Sequence, residues 1–345
     1  MLVVNDPQLT GLVMTVNYVG LKVFFVMPEA NALISPVCIA HLLGMLLLGA
    51  RGSTEATLRA FLLLDKHKGR TLQTLQMSAR VRIKKQVRRK YRRGLITFYH
   101  ADIDTNSTVA AGKVPDPVDG DLVALSTIRF KGAWKFESTK LGRFLNKGHE
   151  SVLVPKLKLT GNLRTQYYAD MNARVAELPG GRAAMYIFLP QGHLRDVEEI
   201  IAEKGIDEYV DNMEFQRSTL LVPRAAVEDV VDLETALKTL GVRGLFSKDA
   251  NFSAISKGIR VTRMTQRTSL YLDQTDSEAS VASGVALALR SVIGRKTLLI
   301  DVDRPFFFVI RDRKTGVDLF LGRITRLDSE KRKAGVMSFR QDAFQ

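Results

Sequence analysis

One peptide bond in this sequence has the chemistry of a protease cleavage site. Arg290 is followed by the small residue Ser291, and a trypsin-like serine protease binds a basic side chain in a specificity pocket that carries a carboxylate. The preceding residues, 276–289, are mostly small or aliphatic, and Gly284 is their strong turn former. We therefore treat Arg290–Ser291 as a candidate scissile bond in an exposed segment spanning 275–296.

The residues before this bond allow three interpretations. Small residues alternate at Ser277, Ala279, Val281 and Ser283, and this pattern lets an extended segment join a packed sheet as an added strand. The Ala and Leu content is equally compatible with a helix. A surface loop with no special role also fits the composition.

A second group of residues has the charge to bind a polyanion. Between positions 80 and 93 the chain has nine basic residues and no acidic one, and like charges at this spacing repel each other. A polyanion would relieve the repulsion through counterion release. Charge alone does not choose between nucleic acid, an anionic membrane surface and a sulfated polysaccharide, and a solvated face without a ligand is the alternative. The residues are Arg80, Arg82, Lys84, Lys85, Arg88, Arg89, Lys90, Arg92 and Arg93.

Other chemistries find little support in the sequence. The five histidines show no metal-ligand spacing, and neither a nucleophile elbow nor a phosphate loop is present. Cys38 is the single cysteine and lies in an apolar run, which predicts a buried and inert thiol. We expect no metal, no cofactor and no enzymatic activity.

The composition is that of a globular chain with a basic surface. Of 345 residues, 46% are hydrophobic and 25% charged, with a net charge of +15. The apolar run 37–48 is too short to cross a bilayer, and the N-terminus lacks a signal-peptide pattern. We expect a single domain over 9–326 and a polar tail over 327–345.

Helices are predicted mainly early in the chain and strands later. Apolar spacing predicts helices over 9–26, from Pro36 to a closing Gly49, and over 54–64, 70–77, 194–204, 206–213 and 232–240. Alternation predicts strands near 80, over 95–103, and over 122–130, 151–159, 164–170, 173–178, 184–189, 218–227, 259–273, 298–301, 306–311 and 317–324. This order, with no linker, predicts one α+β domain.

Several short segments resemble the serpin family and follow that family's order along the chain. They are Ile34–Pro36, Gly49–Glu55, Phe130–Trp134, Glu177–Pro179, Met185–Pro190, Val231–Leu233, Leu240–Val242, Ala250–Ser253, Asp303–Phe306 and Thr315–Gly322. The resemblance covers residues 9–324. It implies a serpin fold with three β-sheets and about eight helices.

The same resemblance implies an inhibitory mechanism. A protease attacks Arg290 and forms an acyl-enzyme, and the cut loop then inserts into the main sheet. The Arg–Ser pair is similar to that of the antithrombin and plasminogen activator inhibitor members of the family. The implied hinge and inserting residues are Thr275, Asp276, Ser277, Glu278, Ala279, Ser280, Val281, Ala282 and Ser283. Residues implied in sheet opening are Ser35, Cys38, Ser126, Trp134 and Gln266.

Three departures from the family pattern bear on this mechanism. The family's sheet-opening region normally holds a polar network of Ser, Asn and His, and the corresponding residues here are Cys38, Ser126 and Gln266. Asp276 stands where inhibitory members have glycine, so backbone freedom at the hinge is lost. The stretch between Asp104 and Leu122 is short, so the helix that crosses the front of the main sheet is expected to be missing or shortened.

The resemblance also implies partners and a location. We expect a monomer that meets a trypsin-like protease outside the cell. By analogy with serpins that bind heparin, the basic cluster is expected to bind heparin or another sulfated polysaccharide, as a candidate activator, in preference to nucleic acid. Because no signal peptide is visible, a cytoplasmic location is the alternative. The alternative function is a non-inhibitory serpin that binds glycosaminoglycan or carries a ligand.

Overall fold

A computed structural model describes residues 7–64, 79–83, 88–92, 103–104, 121–132, 134–273 and 297–329. The expected helix over 70–77 and the front-helix stretch 105–120 lie outside these ranges, as does most of the strand expected over 95–103. The described chain folds into helices and two hydrogen-bonded sheets, which is the α+β class that the sequence predicts.

The first three helices are α1 (Pro7–Phe25), α2 (Pro36–Gly49) and α3 (Gly52–Phe61). Helix α2 begins where the Ser35–Pro36 pair predicts it, because Ser35 caps the backbone N–H of Cys38 and proline needs no N–H in the first turn. The helix is buried almost all round.

Gly49 ends α2 for a different reason from the one predicted. It is not among the glycines with positive φ, so it is no left-handed cap. A Cβ at this position would approach the side chain of Ile255 within 2.1 Å. Glycine is therefore required here by close packing.

The later helices are short and lie between strands. They are α4 (Leu194–Lys204), α5 (Asp207–Asp211), α6 (Leu233–Thr239) and a 3-10 turn at Arg243–Phe246. Helix α4 ends at Gly205, whose φ of 83° explains the glycine.

The smaller sheet has five strands in the order β10-β11-β4-β2-β3. The pair β4–β11 is parallel, and the neighbours β2 and β10 run antiparallel to it. The bounds are β2 (Ala79–Ile83), β3 (Ile103–Asp104), β4 (Asp121–Lys131), β10 (Ala225–Asp232) and β11 (Arg260–Leu272).

The larger sheet has nine strands in the order β1-β14-β13-β8-β7-β6-β9-β12, with β5 also paired to β6. The bounds are β1 (Ala32–Ile34), β5 (Ser138–Asn146), β6 (Glu150–Tyr168), β7 (Ala173–Gly180), β8 (Ala183–Pro190), β9 (Glu214–Pro223), β12 (Leu298–Asp301), β13 (Phe306–Asp312) and β14 (Asp318–Ile324).

Strand β6 corrects two expectations. The sequence predicts separate strands at 151–159 and 164–170, but Gly161 and Asn162 stay extended because both pair with β9. The same edge of β6 pairs with β5 near its start and with β7 near its end. This continuous strand joins two of the three expected sheets, so the described residues form two hydrogen-bonded sheets.

One further strand is divided, and two strands were not predicted. The single strand expected over 218–227 is two strands, β9 and β10, interrupted at Arg224. Strands β1 and β5 were not predicted, since β1 has three residues and β5 mixes polar and apolar positions irregularly.

Two asparagines hold the end of the described chain. The side-chain amide of Asn31 donates to the carbonyl of Arg326 at 2.8 Å and its oxygen accepts the Arg326 N–H. Asn146 makes the same pair of bonds to Leu327, at 3.0 and 2.8 Å. Leu327, which the sequence assigns to the tail, is thus hydrogen-bonded to the domain.

A buried ion pair joins α4 to the larger sheet. Arg323 of β14 donates to a carboxylate oxygen of Glu198 at 2.8 Å, and its guanidinium lies over the ring of Phe24. Burial raises the pKa of Glu198 to about 6, although Arg323 opposes the rise. The folded chain therefore binds a proton at Glu198 more tightly than the unfolded chain does.

This pKa shift predicts a pH effect on stability. The stabilisation from protonating Glu198 is present below its unfolded pKa and is lost as pH rises through about 6. Relative to Glu198→Gln, the wild-type free energy of unfolding should fall by about 2 kcal/mol between pH 4.5 and 7. Urea unfolding at several pH values measures this difference. Glu199→Gln, at an exposed position of α4, is the control, and a pH-independent difference would contradict the assignment.

Candidate functional site between strands β4 and β11

The junction of β4 and β11, here called the seam, has a geometry that can accept another strand. The two strands pair in parallel from Arg260 opposite Asp121 to Tyr271 opposite Lys131. A strand running the other way between them would be antiparallel to both neighbours, a favourable sheet arrangement. Insertion at the seam therefore keeps good pairing on both sides. The pair β2–β3 in this sheet is also parallel, but it joins only two residues of each strand.

Gln266 ties the middle of the seam to the start of helix α2. Its side-chain oxygen accepts the N–H of Ser35 at 2.8 Å, and its amide nitrogen donates to the carbonyl of Ser35 at 3.0 Å. Ser126 of β4 lies opposite Gln266 in the register, and all three residues are buried. Two hydrogen bonds from one side-chain amide fix both where β11 lies along the start of α2 and how far from the helix it lies.

Cys38 lies one turn into α2, next to the bond between Gln266 and Ser35. Its N–H donates to the hydroxyl of Ser35 at 3.4 Å. Burial raises the pKa of its thiol to about 12, while hydrogen bonds with Ser35 and Ser126 act in the opposite direction. The thiol is thus neutral and unreactive, which confirms the prediction of a buried, inert cysteine.

The smaller sheet also forms side-chain hydrogen bonds to strand β1, which the sequence did not predict. Thr268 of β11 donates its hydroxyl to the carbonyl of Leu33 at 2.7 Å, and Asp229 of β10 accepts the N–H of Leu33 at 3.0 Å. Burial raises the pKa of Asp229. The available signal was polar residues at positions 266 and 268, between the apolar residues 264 and 270.

Trp134 lies apart from the other residues assigned to sheet opening. It follows the end of β4, is 2% exposed, and packs on Phe130 with ring centroids 5.7 Å apart. Gly132 and Gly180 border its ring so closely that a Cβ at either would lie within 2.7 Å. The structure therefore brings together Ser35, Cys38, Ser126 and Gln266, and places Trp134 in a second apolar cluster.

The basic cluster is divided between a strand and a helical turn. Arg80 and Arg82 are in β2, while Lys84, Lys85 and Arg93 lie outside the described residues. Arg88, Arg89, Lys90 and Arg92 are exposed, and the last three belong to a single turn at 89–92. Tyr91 in this turn is buried and donates to the carbonyl of Met45 at 3.1 Å. The buried side chain of Tyr91 therefore fixes the position of the turn, and the basic side chains extend from it into solvent.

The candidate scissile bond Arg290–Ser291 and the hinge residues 275–283 lie outside the described residues. The structure does describe where this segment leaves and rejoins the fold. It leaves after β11, where Asp273 pairs with Arg224 at 2.8 Å. It rejoins at β12, whose first residue Leu298 lies opposite Ser218 of β9.

No described helix is long and apolar enough to cross a membrane. The described residues also contain no group of three or more acidic, His or Cys residues that could hold a metal ion.

Comparison with known proteins gives one family. The model described as serpin (serine protease inhibitor) matches residues 22–327. Neuroserpin from Mus musculus is 26% identical over 355 residues, covering 86% of both chains. Intracellular coagulation inhibitor 1 from Tachypleus tridentatus is 27% identical over 372 residues, covering 91% of this chain and 88% of the relative.

A solved structure shares the fold. It is native protease nexin-1 with heparin, with a TM-score of 0.80 and 24% identity, covering 93% of this chain and 100% of that chain. At this identity the likeness supports the fold, which agrees with the sheets and helices described above.

The pair of hydrogen bonds from Gln266 predicts a measurable effect on stability. Gln266→Ala leaves the buried N–H of Ser35 without a partner and removes one of two bonds to its carbonyl, which still accepts the N–H of Ile39. It should lower the free energy of unfolding by about 2 kcal/mol. The Cys38 thiol, inert in the wild type, should then react faster with a disulfide reagent at pH 8. Arg263→Ala, exposed on the same strand, is the control. Equal stability and equal thiol reactivity in both variants would refute the role of Gln266.

Proposed function

Because this chain belongs to the serpin family, we propose that it inhibits a trypsin-like serine protease by trapping it as an acyl-enzyme. The protease serine attacks the carbonyl carbon of Arg290, the peptide bond to Ser291 breaks, and the Ser291 amine leaves with a proton. The ester to Arg290 is then kept from hydrolysis because the cut segment inserts into the smaller sheet. The protein is in this view an inhibitor and not an enzyme.

The parallel seam is the observation that carries this proposal. The segment 274–296 continues directly from the end of β11. A chain that leaves β11 and turns back beside it runs antiparallel to β11, and therefore antiparallel to β4 as well. The inserting strand thus needs no long crossover and gains hydrogen bonds on both edges.

Side-chain alternation agrees with such an insertion. The inner face of the seam is lined by Ser126, Gln266 and Thr268, which lie over α2 and β1. The small residues Ser277, Ala279, Val281 and Ser283 share one face of an extended strand and would fit there with little displacement.

The acidic hinge residues fall on the opposite face. In the inserted strand, Asp276 and Glu278 would lie on the outer face of the sheet, the same face as Arg263 and Arg267, which are the exposed residues of β11. An extended hinge at Asp276 needs no positive φ, and its carboxylate would gain basic neighbours. The departure from glycine at this position is therefore compatible with insertion.

By family resemblance, we also propose that the protein acts outside the cell.

This proposal predicts a covalent complex. Incubation with trypsin-like proteases should give an SDS-stable species in which residues 1–290 are joined to the protease by an ester, while residues 291–345 appear as a separate fragment. Arg290→Glu should lower the rate of complex formation about 100-fold or more, because an acidic side chain is left unpaired in an acidic pocket. Lys296→Gln is the control. Clean cleavage after Arg290 with no complex would make the chain a substrate and contradict the proposal.

The exposed basic turn favours a second candidate function, binding of a sulfated polysaccharide. Arg88, Arg89, Lys90 and Arg92 are held together by the buried Tyr91, so little conformational entropy is lost when a polyanion binds them. The related nexin-1 structure contains heparin. A polysaccharide bound here would serve as an activator of the inhibitor or as the ligand of a non-inhibitory carrier.

Heparin chromatography tests this second function. The triple variant Arg88→Gln, Arg89→Gln, Lys90→Gln should elute at lower salt, and the slope of log affinity against log salt should fall by about one for each basic side chain that no longer pairs with a sulfate. Lys135→Gln, Lys140→Gln, Arg143→Gln removes the same charge at exposed positions elsewhere. If both triple variants elute together, net charge and not a site explains the binding.

A further inference from the structure

The loop between the 3-10 turn and β11 carries the triplet Asn251-Phe252-Ser253. An asparagine followed two positions later by serine or threonine, with no proline between them, is the acceptor pattern for N-linked oligosaccharide. Asn251 is exposed, Phe252 is buried and Ser253 is half-buried. The triplet therefore lies at the surface, where a bound sugar would extend into solvent.

The fold holds this loop through the backbone of Asn251 and the side chain of Phe252. The N–H of Asn251 donates to the hydroxyl of Thr54 at 2.9 Å, and its carbonyl accepts the N–H of Arg51 at 2.9 Å. Phe252 is 1% exposed and belongs to the main apolar core. These contacts fix the loop against the start of α3 and leave the amide group of the Asn251 side chain outside the core.

The oxygen and the nitrogen of that amide group have different surroundings. The oxygen accepts the backbone N–H of Ser253 at 3.1 Å, and since the donor is an N–H, the accepting atom must be the oxygen. The nitrogen, Nδ2, forms no hydrogen bond with any residue that the structure describes. An N-linked sugar replaces one hydrogen of Nδ2 and leaves the oxygen free to keep its bond.

The surroundings of Nδ2 are also open. Its neighbour on the side of α3 is Gly52, where an added Cβ would have only this nitrogen within 4 Å, at 3.9 Å. The hydroxyl of Ser253, the second group of the acceptor pattern, likewise forms no hydrogen bond within the described part of the chain. The fold thus leaves unused the nitrogen that would carry a sugar and the hydroxyl that completes the pattern.

We propose that Asn251 is an acceptor site for an N-linked oligosaccharide. In the transfer, Nδ2 bonds to the anomeric carbon of an oligosaccharide carried on a lipid diphosphate, the amide loses one proton, and the lipid diphosphate leaves. Because the folded loop is tied to Arg51 and Thr54, the sugar is added before the chain folds, and folding then leaves it in solvent. The inference rests on the proposed location outside the cell and is independent of protease trapping.

Expression of the full chain behind a cleavable secretion leader in mammalian cells tests the site. Every variant carries Asn106→Gln, which removes the only other triplet of this pattern in the sequence. Treatment of medium and lysate with a peptide N-glycosidase should increase gel mobility by one step, and mass spectrometry should find aspartate at position 251. Ser253→Ala should abolish the mobility shift, although the N–H of residue 253 still donates to Asn251. Ser253→Thr keeps the acceptor pattern and should retain the shift.

Two results would overturn the assignment. One is a chain that passes through the secretory pathway with unmodified asparagine at position 251, and the other is a glycosidase shift that persists in Ser253→Ala. Thermal melts should give the same midpoint before and after glycosidase treatment, because the oxygen at position 251 keeps its bond; a large fall would show that the fold does not accommodate the sugar as inferred. The chain without the added leader is a separate reading. If it stays inside the cell without sugar while the leader-bearing chain is modified, the extracellular location falls and the acceptor site stands.

Discussion

The structure depends most on the pair of hydrogen bonds between the side-chain amide of Gln266 and the backbone of Ser35. These bonds span 231 positions of sequence and are fully buried. Ser35 also caps α2, so the same residue fixes where the helix starts and how the smaller sheet sits on it. Thr268 and Asp229 repeat the arrangement on Leu33, so three sheet side chains hold one short stretch of backbone. An apolar surface alone would allow the sheet to slide over the helix, whereas these bonds specify one position.

The same pair of bonds bears on how the strands of the seam are held together and on what would have to break for them to separate. In the described state β4 and β11 satisfy each other's backbone groups, and Gln266 and Ser126 face α2 and not each other's strand. Separating the strands would expose the ladder but would leave the bond from Gln266 to Ser35 intact if β11 and α2 move together. The alternative is that α2 stays with β4, through Cys38 and Ser126. A buried thiol makes only weak hydrogen bonds, but α2 also packs its apolar side chains against β4. Separating the strands therefore costs either the bonds from Gln266 or this packing.

The sequence predicts those parts of the molecule that local chemistry determines. The start of α2 follows from Ser35 and Pro36, and the inert thiol follows from the apolar residues around Cys38. Strand β6 was divided in the prediction because Gly161 and Asn162 have turn chemistry, and only pairing with the distant β9 keeps them extended. Gln266 and Ser35 were both named by family resemblance, but the bond between them was not predicted, because no local pattern encodes a bond between positions 231 apart. The close packing of Gly49 against Ile255 escaped prediction for the same reason.

The two points where the segment 274–296 leaves and rejoins the fold are held with unequal strength. Under the proposed mechanism, this difference would set the direction of movement after a cut at Arg290. On the β12 side, Lys156 is buried and donates to the carboxylate of Asp301 and to the carbonyl of Val302. Burial lowers the pKa of Lys156, and breaking its pair would leave a buried charge without a partner, which is costly. On the β11 side, the pair between Arg224 and Asp273 is half-exposed and weak. Under the proposed mechanism, the chain after Ser291 would therefore stay with the larger sheet, while the chain that ends at Arg290 would be free to move at its base. Because that part continues from β11, it would enter the seam and would carry the acyl-linked protease.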